Sequence, residues 1–339
     1  MRILHLFGST QDDFYFDLSR MYAEAALRPA GTEHAFAAVA PDGRWRFGPA
    51  PDALGAPMPL AEALGQMPAA DLVVPHMFCR AGMTSYRALV EDILGLPLVG
   101  APAGVAALAT SKSWTRDIVA AAGVAVAPGE RLGPGARPGL APPFVVKPDS
   151  EDNSLGVSVV RAASEVDAAL AHARRHDDVI LAEAFIPGRE LRAAVVELDG
   201  ALIVPAFIEY PVSEARPIRE VADKLEPQAQ GGGLRQSRRQ DAQPVCPAEV
   251  APELACALRD AAIRAHRALG ARHYSLFDFR VHAETGVPYL LEAGLFWSFS
   301  TLSAITRMLA AAGHDPDEVT RRIWEGAVRD AEAASAAAA

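Results

Sequence analysis

Apolar residues come in short runs along the first hundred positions, and the runs alternate between two periods. Residues 3–7, 34–39, 71–75 and 96–99 are compact apolar stretches of strand length, while 14–27 and 85–94 repeat their apolar positions at helical spacing. Strands alternating with helices predict a small parallel-sheet domain reaching about Gly100. A helix is predicted over 113–122, then a Pro/Gly-rich stretch at 128–143, after which the strands come in adjacent pairs, as in a mixed α+β domain. The clearest helix is 251–269, stopped by Gly270. Residues 211–247 form the longest segment without a period and include Gly231-Gly232-Gly233; a loop of that length in a compact domain is functional or disordered.

Two carboxylates near the C-terminus sit in a predicted hairpin, with strands at 274–280 and 287–292 and a turn at 282–286. Asp278 lies between Phe277 and Phe279, and Glu292 closes the run Tyr289-Leu290-Leu291, settings in which a bare charge is costly. With a period of two, each acid can face one side of its strand. A magnesium ion accounts for the pair, since it takes one or two protein carboxylates plus the phosphates of a nucleotide. Salt-bridged strand-end acids are the other account.

Residues 144–148 form an apolar strand ending at Lys147-Pro148, and a polar loop with Asn153, Ser154 and a late Gly156 follows before β character resumes at 157–160. Such a hairpin can fold over phosphates with backbone N–H groups while the lysine supplies a compact charge. Lys112, just after Ser111 at a helix start, can reach the same phosphates. Each lysine taken alone reads more readily as a solvated surface charge. The loop is not a P-loop, because no Gly-Lys-Ser/Thr follows it. In 179–192 an apolar strand runs through Glu183 and Phe185 to Pro187-Gly188, and a second strand opens near Glu190. It suits a hinge on which adenine lies, with Glu183 and Glu190 reaching the amino group and ribose, or an ordinary hairpin with exposed acids.

Composition narrows the class without choosing a reaction. Half of the 339 residues are hydrophobic, ample for a core. A net charge of −10 and a pI near 5.4 oppose binding to a phosphate backbone, so no nucleic-acid partner is expected. Cys79, Cys246 and Cys256 form no CxxC pair, which points to reduced thiols in the cytoplasm with no disulfide and no zinc. Residues 1–7 are too short for a signal h-region and no stretch reaches ~20 uncharged apolar residues, so a chain neither exported nor membrane-spanning is expected.

Taken in order, these pieces resemble one family, the ATP-grasp ligases, and within it the D-alanine–D-alanine ligase branch, over nearly the whole chain from Met1 to about Arg329. The resemblance implies an ATP-grasp fold, α/β plus α+β. Its parts would be an N-terminal Rossmann-like domain at 1–105, a central lobe with the phosphate-covering hairpin at 106–190, a C-terminal lobe with the metal site at 191–330 and a disordered tail at 331–339. It implies ATP and Mg2+, as two ions, with small-molecule substrates, and it leaves a homodimer open. Carried over by position, it makes Lys112 and Lys147 phosphate ligands, Asn153, Ser154 and Gly156 the phosphate-covering loop, and Glu183, Phe185 and Glu190 adenosine contacts. Lys224 becomes the mobile-loop lysine that closes on the γ-phosphate, and Asp278 and Glu292 the magnesium carboxylates.

Three departures stand beside the matches. Glu292-Ala293-Gly294 replaces the Glu-Xaa-Asn that ends the branch's metal site, Leu276 stands where dipeptide-forming ligases place an arginine that grips the acceptor carboxylate, and residues 7–15 replace the first loop of the peptide ligases. Loss of that clamp argues against D-alanine as acceptor in the usual pose. A narrower resemblance accommodates all three departures: 76–87, 152–156, 273–280 and 291–295 look like the mycosporine-synthesis ligases, which couple an amino acid to mycosporine-glycine. On that reading the ring oxygen of mycosporine-glycine takes the γ-phosphoryl group and the amine of serine, threonine or alanine displaces phosphate. His76 and Tyr86 are then candidates for the wall of the acceptor pocket, although His76, after Leu72-Val73-Val74, reads equally as a structural histidine. Two rivals stay open: a D-alanine–D-alanine or other dipeptide ligase, and a non-catalytic nucleotide-binding protein.

Overall fold

The computed structural model describes residues 1–228 and 233–338. In the N-terminal part, β1 (Arg2–Gly8), β2 (Glu33–Val39), β3 (Trp45–Gly48) and β4 (Leu72–Pro75) form a sheet of order β3-β2-β1-β4. β1 runs parallel to β2 and β4, and β3 is antiparallel at the edge. Helix α1 (Asp13–Glu24) connects β1 to β2 and starts at Asp12, whose carboxylate accepts from the Tyr15 N–H. Gly8 ends β1 at φ +109°, and a Cβ there would lie 2.1 Å from the Val39 carbonyl oxygen, so the turn into α1 requires glycine. Residues 96–99 make a single parallel bridge, Val73 to Leu98, instead of the expected strand; Pro97 has no N–H to extend a ladder. The expected helix at 85–94 divides into α-helical Ser85–Ala88 and π-helical Leu89–Ile93.

Helix α2 (Lys112–Ala121) leads to a wholly antiparallel sheet of β5 (Gly129–Leu132), β6 (Phe144–Pro148), β7 (Ser158–Val160) and β8 (Ile180–Ala184), in the order β5-β8-β6-β7. Helix α3 (Val166–Ala173) covers it, Leu170 and Ala173 packing with Phe144, Val146 and Val160.

The largest sheet combines β9 (Gly188–Leu198), β10 (Ala201–Ile203) and β11 (Phe207–Tyr210) with two later strands. Before those come a short helix, Val221–Lys224, and a separate ribbon of β12 (Leu225–Pro227) and β13 (Leu234–Gln236). The aperiodic segment 211–247 therefore holds local structure; Gly231 and Gly232 of its triple glycine lie outside the described residues. Helix α4 (Pro252–Ala268) precedes β14 (Tyr274–His282) and β15 (Pro288–Gly294), and α5 (Ala304–Ala311) and α6 (Pro316–Ala338) finish the chain. The expected disordered tail instead continues α6 as far as Ala338, in keeping with alanine's high helix propensity.

Alternation along β9 and β14 sorts their side chains. Leu191, Ala193 and Val195, with Phe277, Phe279 and Val281, pack against Leu258, Ala262 and Ala265 of α4. Ala194, Val196, Tyr274 and Leu276 face the other way, toward Ile3 and Val74 of the N-terminal sheet and Trp297 and Trp324. Asp278 shares that second face, and its register partner on β9 is Arg192. β15 would turn Glu292 toward α4 if its ladder were regular. Phe279 pairs with Leu290 but Asp278 pairs with Glu292, so Leu291 is an extra residue that moves Glu292 onto the Asp278 face. No helix among the described residues is long and apolar enough to cross a membrane.

Candidate active site

The start of α2 and the strand end of β6 are tied together by one buried acid. Asp149 accepts from the Ser113 N–H at 2.8 Å and the Ser111 hydroxyl at 2.5 Å, and its own carbonyl accepts from the Lys112 N–H at 2.9 Å. This fixes Lys112 beside the loop after Lys147. Both lysines then point into a cavity of about 100 Å³, whose walls also include Ser154, Glu183, Phe185, Glu190, Lys224, Asp278 and Glu292. Nine residues that the sequence singled out separately thus converge from five strands, two helices and two loops.

Inside the cavity the charges are paired. Lys147 Nζ lies 2.5 Å from Glu183 Oε1 and 3.3 Å from the Leu291 carbonyl oxygen, and both side chains of the ion pair are buried. The expectation that one serves phosphate and the other adenosine therefore begins from two groups bound to each other. Glu190 is held by Arg219 at 2.6 Å and Arg280 at 3.7 Å, and the Arg280 guanidinium lies 5.6 Å from the Phe185 ring centre. Lys112 stands 3.7 Å from Glu292 and also donates to the Glu151 carbonyl. Lys224 donates to the Ser154 hydroxyl at 2.9 Å; burial pushes its pKa down, aided by Arg219 and resisted by Asp152 and Glu292.

Arg192 grips both oxygens of Asp278, with Nη2 at 2.5 Å from Oδ2. Burial alone would raise the Asp278 pKa, but the Arg192 charge and hydrogen bonds hold it below the usual carboxylate range. Asp278 and Glu292 are hard oxygen donors opposite each other and open to the cavity, a fit for a magnesium ion that draws its other ligands from phosphates. No three His, Cys, Asp or Glu side chains among the described residues converge to bind a metal unaided.

The loop expected to cover phosphates divides. Asn153 and Ser154 have φ of 56° and 63°, and of the three loop residues expected there only Ser154 lines the first cavity. Asn153 faces a neighbouring cavity, and Gly156, at φ +71°, lines an outer groove. A Cβ on Gly156 would lie 2.7 Å from Pro148 Cγ, so its part is to let the hairpin close.

A second cavity of about 250 Å³ adjoins the first and shares Lys112, Glu151, Asp278 and Glu292 with it. Tyr15, Phe78, Arg80, Met83, Arg192 and Leu276 are among its other walls. His76 and Tyr86 are not. Tyr86 packs on Trp45 with ring centres 5.7 Å apart. His76 is wholly buried in an imidazole chain: its Nε2 is 2.8 Å from His5 Nδ1, and His5 Nε2 is 2.8 Å from His34 Nδ1. The Thr32 hydroxyl donates to the Pro29 carbonyl, so His34 Nε2, 2.7 Å from it, must donate to Thr32. Each imidazole then donates from Nε2, those of His5 and His34 accept at Nδ1, and His76 Nδ1 is left without a partner. Burial pushes His76 down to about 3 and His34 to about 4. This places His76 in the packing of the N-terminal sheet and away from the second cavity.

The residues that sequence reasoning missed are Arg192, Arg219, Arg280 and Glu151. Arg192 alternates with Glu190 on one strand and Arg280 with Asp278 on another, a pattern of same-face opposite charges that was readable in the sequence.

Residues 137–325 match the family model described as "D-ala D-ala ligase C-terminus". A D-alanine–D-alanine ligase of Geobacter sulfurreducens is 34% identical over 239 residues, covering 68% of this chain and 69% of the relative. One from Mycolicibacterium vanbaalenii is 31% identical over 287 residues, 82% of this chain and 76% of the relative. Among solved structures, the D-alanine–D-alanine ligase from Coxiella burnetii superposes with a TM-score of 0.78 over 99% of this chain and 97% of that one, at 19% identity. The VanG D-Ala:D-Ser ligase from Enterococcus faecalis gives 0.77 over 96% and 99%, also at 19%. Both share the ATP-grasp fold with this chain. The relatives' names overturn the expectation of a mycosporine-glycine ligase. The physical step behind that expectation also fails: the cation absent at Leu276 is not absent from the cavity, because Arg192, one strand over, and Arg80 line it too.

Proposed function

This chain belongs to the D-alanine–D-alanine ligase family of ATP-dependent, ADP-forming ligases, and on that premise we propose that it joins two amino acids, D-alanine first among them, through a peptide bond. The enzyme uses ATP and Mg2+. The observation that carries the reading is the junction of the two cavities at Lys112, Asp278 and Glu292: nucleotide would lie on one side and amino acids on the other, with the transferable phosphoryl group between them. The carboxylate of the first amino acid attacks the γ-phosphorus and ADP leaves. The amine of the second then attacks the acyl carbon, phosphate departs, and the amine gives up a proton.

Lys112, Lys147 and Lys224 would neutralise and orient the phosphates, since phosphoryl transfer asks for positioning and charge compensation more than covalent chemistry. Asp278 and Glu292 would hold magnesium, which offsets phosphate charge when bound. Glu190, braced by Arg219 and Arg280, would meet the ribose, and Phe185 would flank the base. Arg80 would supply a cation for a substrate carboxylate in the second cavity, and Arg192, whose Nε and Nη2 are bound to Asp278, would add its Nη1.

Phosphate release from ATP and magnesium with D-alanine, and with a panel of D- and L-amino acids beside it, tests this. Release coupled to a dipeptide mass is expected. No dipeptide with any amino acid, and no release above the ATP-only rate, would overturn it.

A further inference from the structure

On the ligase reading above, the carboxylate being activated must lie where the two cavities meet, and in an α-amino acid the ammonium group is one carbon away from it. Five acids line the second cavity: Glu151, Asp152, Asp177, Asp278 and Glu292. Asp278 is gripped by Arg192, and Glu292 faces Lys112. Asp177 accepts from the Ser150 N–H at 2.8 Å on one oxygen and from the Val179 N–H at 2.9 Å on the other. Asp152 accepts from the Asn153 N–H at 2.6 Å and lies in the field of Lys224.

Glu151 differs from these four. Like Asp278 and Glu292 it lines both cavities, but its half-buried carboxylate accepts one hydrogen bond, from the Tyr15 hydroxyl at 3.1 Å. It makes no salt bridge among the described residues. Burial pushes its pKa up; the Tyr15 bond, His176 and Lys112 restrain the rise, and Asp177 adds to it. A carboxylate desolvated to this degree, with a neutral donor as its direct partner, is poised for a cationic one.

We infer that Glu151 binds the ammonium group of the amino acid whose carboxylate is activated, and that Tyr15, reaching across from α1, is the positioning residue that aims it. The chain then supplies this contact from the loop after β6, beside the departure noted at residues 7–15.

Hydroxylamine trapping of the acyl phosphate isolates the first half-reaction. With ATP, magnesium and D-alanine, Glu151→Gln is expected to raise the D-alanine KM at least ~10-fold while the ATP KM stays within ~2-fold. Propanoate, which lacks the ammonium, should be a poor substrate for the natural enzyme, and Glu151→Gln should narrow its disadvantage against D-alanine. Tyr15→Phe removes a bond that favours the ionised carboxylate, so the acid limb of kcat/KM for D-alanine should move to higher pH, a shift that a purely structural role would not give. An unchanged D-alanine KM in Glu151→Gln, or a parallel rise in the ATP KM, overturns the assignment. Hydroxamate formed by the natural enzyme shows that the ligase reading itself stands; its absence with every amino acid would sink that reading instead.

Discussion

Asp278 and Glu292 face each other across the β14–β15 ladder because Leu291 is inserted between the residues that pair with Asp278 and Phe279. A regular ladder would send Glu292 toward the apolar side of α4, where Leu290 packs. The two carboxylates are thus a pair made by a bulge.

Glu292→Gln should lower phosphate release at least ~100-fold, about 2.7 kcal/mol of barrier, at saturating magnesium. The thermal midpoint should barely move, because the ion pair with Lys112 is partly exposed and contributes at most ~1 kcal/mol. Deleting Leu291 should abolish turnover with both acids still present. Near-natural turnover in either variant would remove the metal assignment.

Lys147 and Glu183 are both buried and bound to each other. Lys147→Met leaves a buried carboxylate alone and should reduce stability by ~3–5 kcal/mol in urea unfolding. The double variant Lys147→Met/Glu183→Met should recover most of that loss yet still bind ATP weakly. Full ATP affinity in the double variant would show that neither side chain serves the nucleotide.

Lys224 has its pKa pushed down by burial and by Arg219. The charged form is the one that would serve the γ-phosphate, so turnover should fall as pH rises through that lowered pKa, earlier than an ordinary lysine allows. Lys224→Arg should move this alkaline limb upward. Cleavage by trypsin at Arg235, on the ribbon that follows Lys224, and at Arg239 just beyond it should slow when ATP, magnesium and D-alanine are added. An alkaline limb that stays in place in Lys224→Arg would assign it to another group.

The His5–His34–His76 chain makes the fold acid-sensitive. All three have folded pKa values below the unfolded 6.5, so below that pH the unfolded state binds more protons. Their contribution to stability is complete above about pH 6.5 and is lost as pH falls toward 4 and then 3. His76→Gln should give a shallower decline of the thermal midpoint between about pH 6.5 and 4. An identical slope would mean the imidazoles do not govern the transition.

The sequence by itself determined the alternation of strand and helix and most of the charged residues in the first cavity, because local period and turn residues are properties of neighbours along the chain. Lys112, Lys147, Glu183, Glu190, Lys224, Asp278 and Glu292 were all legible as chemistry-bearing positions. What only the tertiary structure decided was which charge meets which. The Lys147–Glu183 pair joins positions 36 residues apart, Arg192–Asp278 joins positions 86 apart, and Tyr15–Glu151 joins positions 136 apart. The same distance effect hid the cation beside Leu276 and drew His76 into the sheet packing: a side chain's partners are set by the register of strands that the local pattern does not specify.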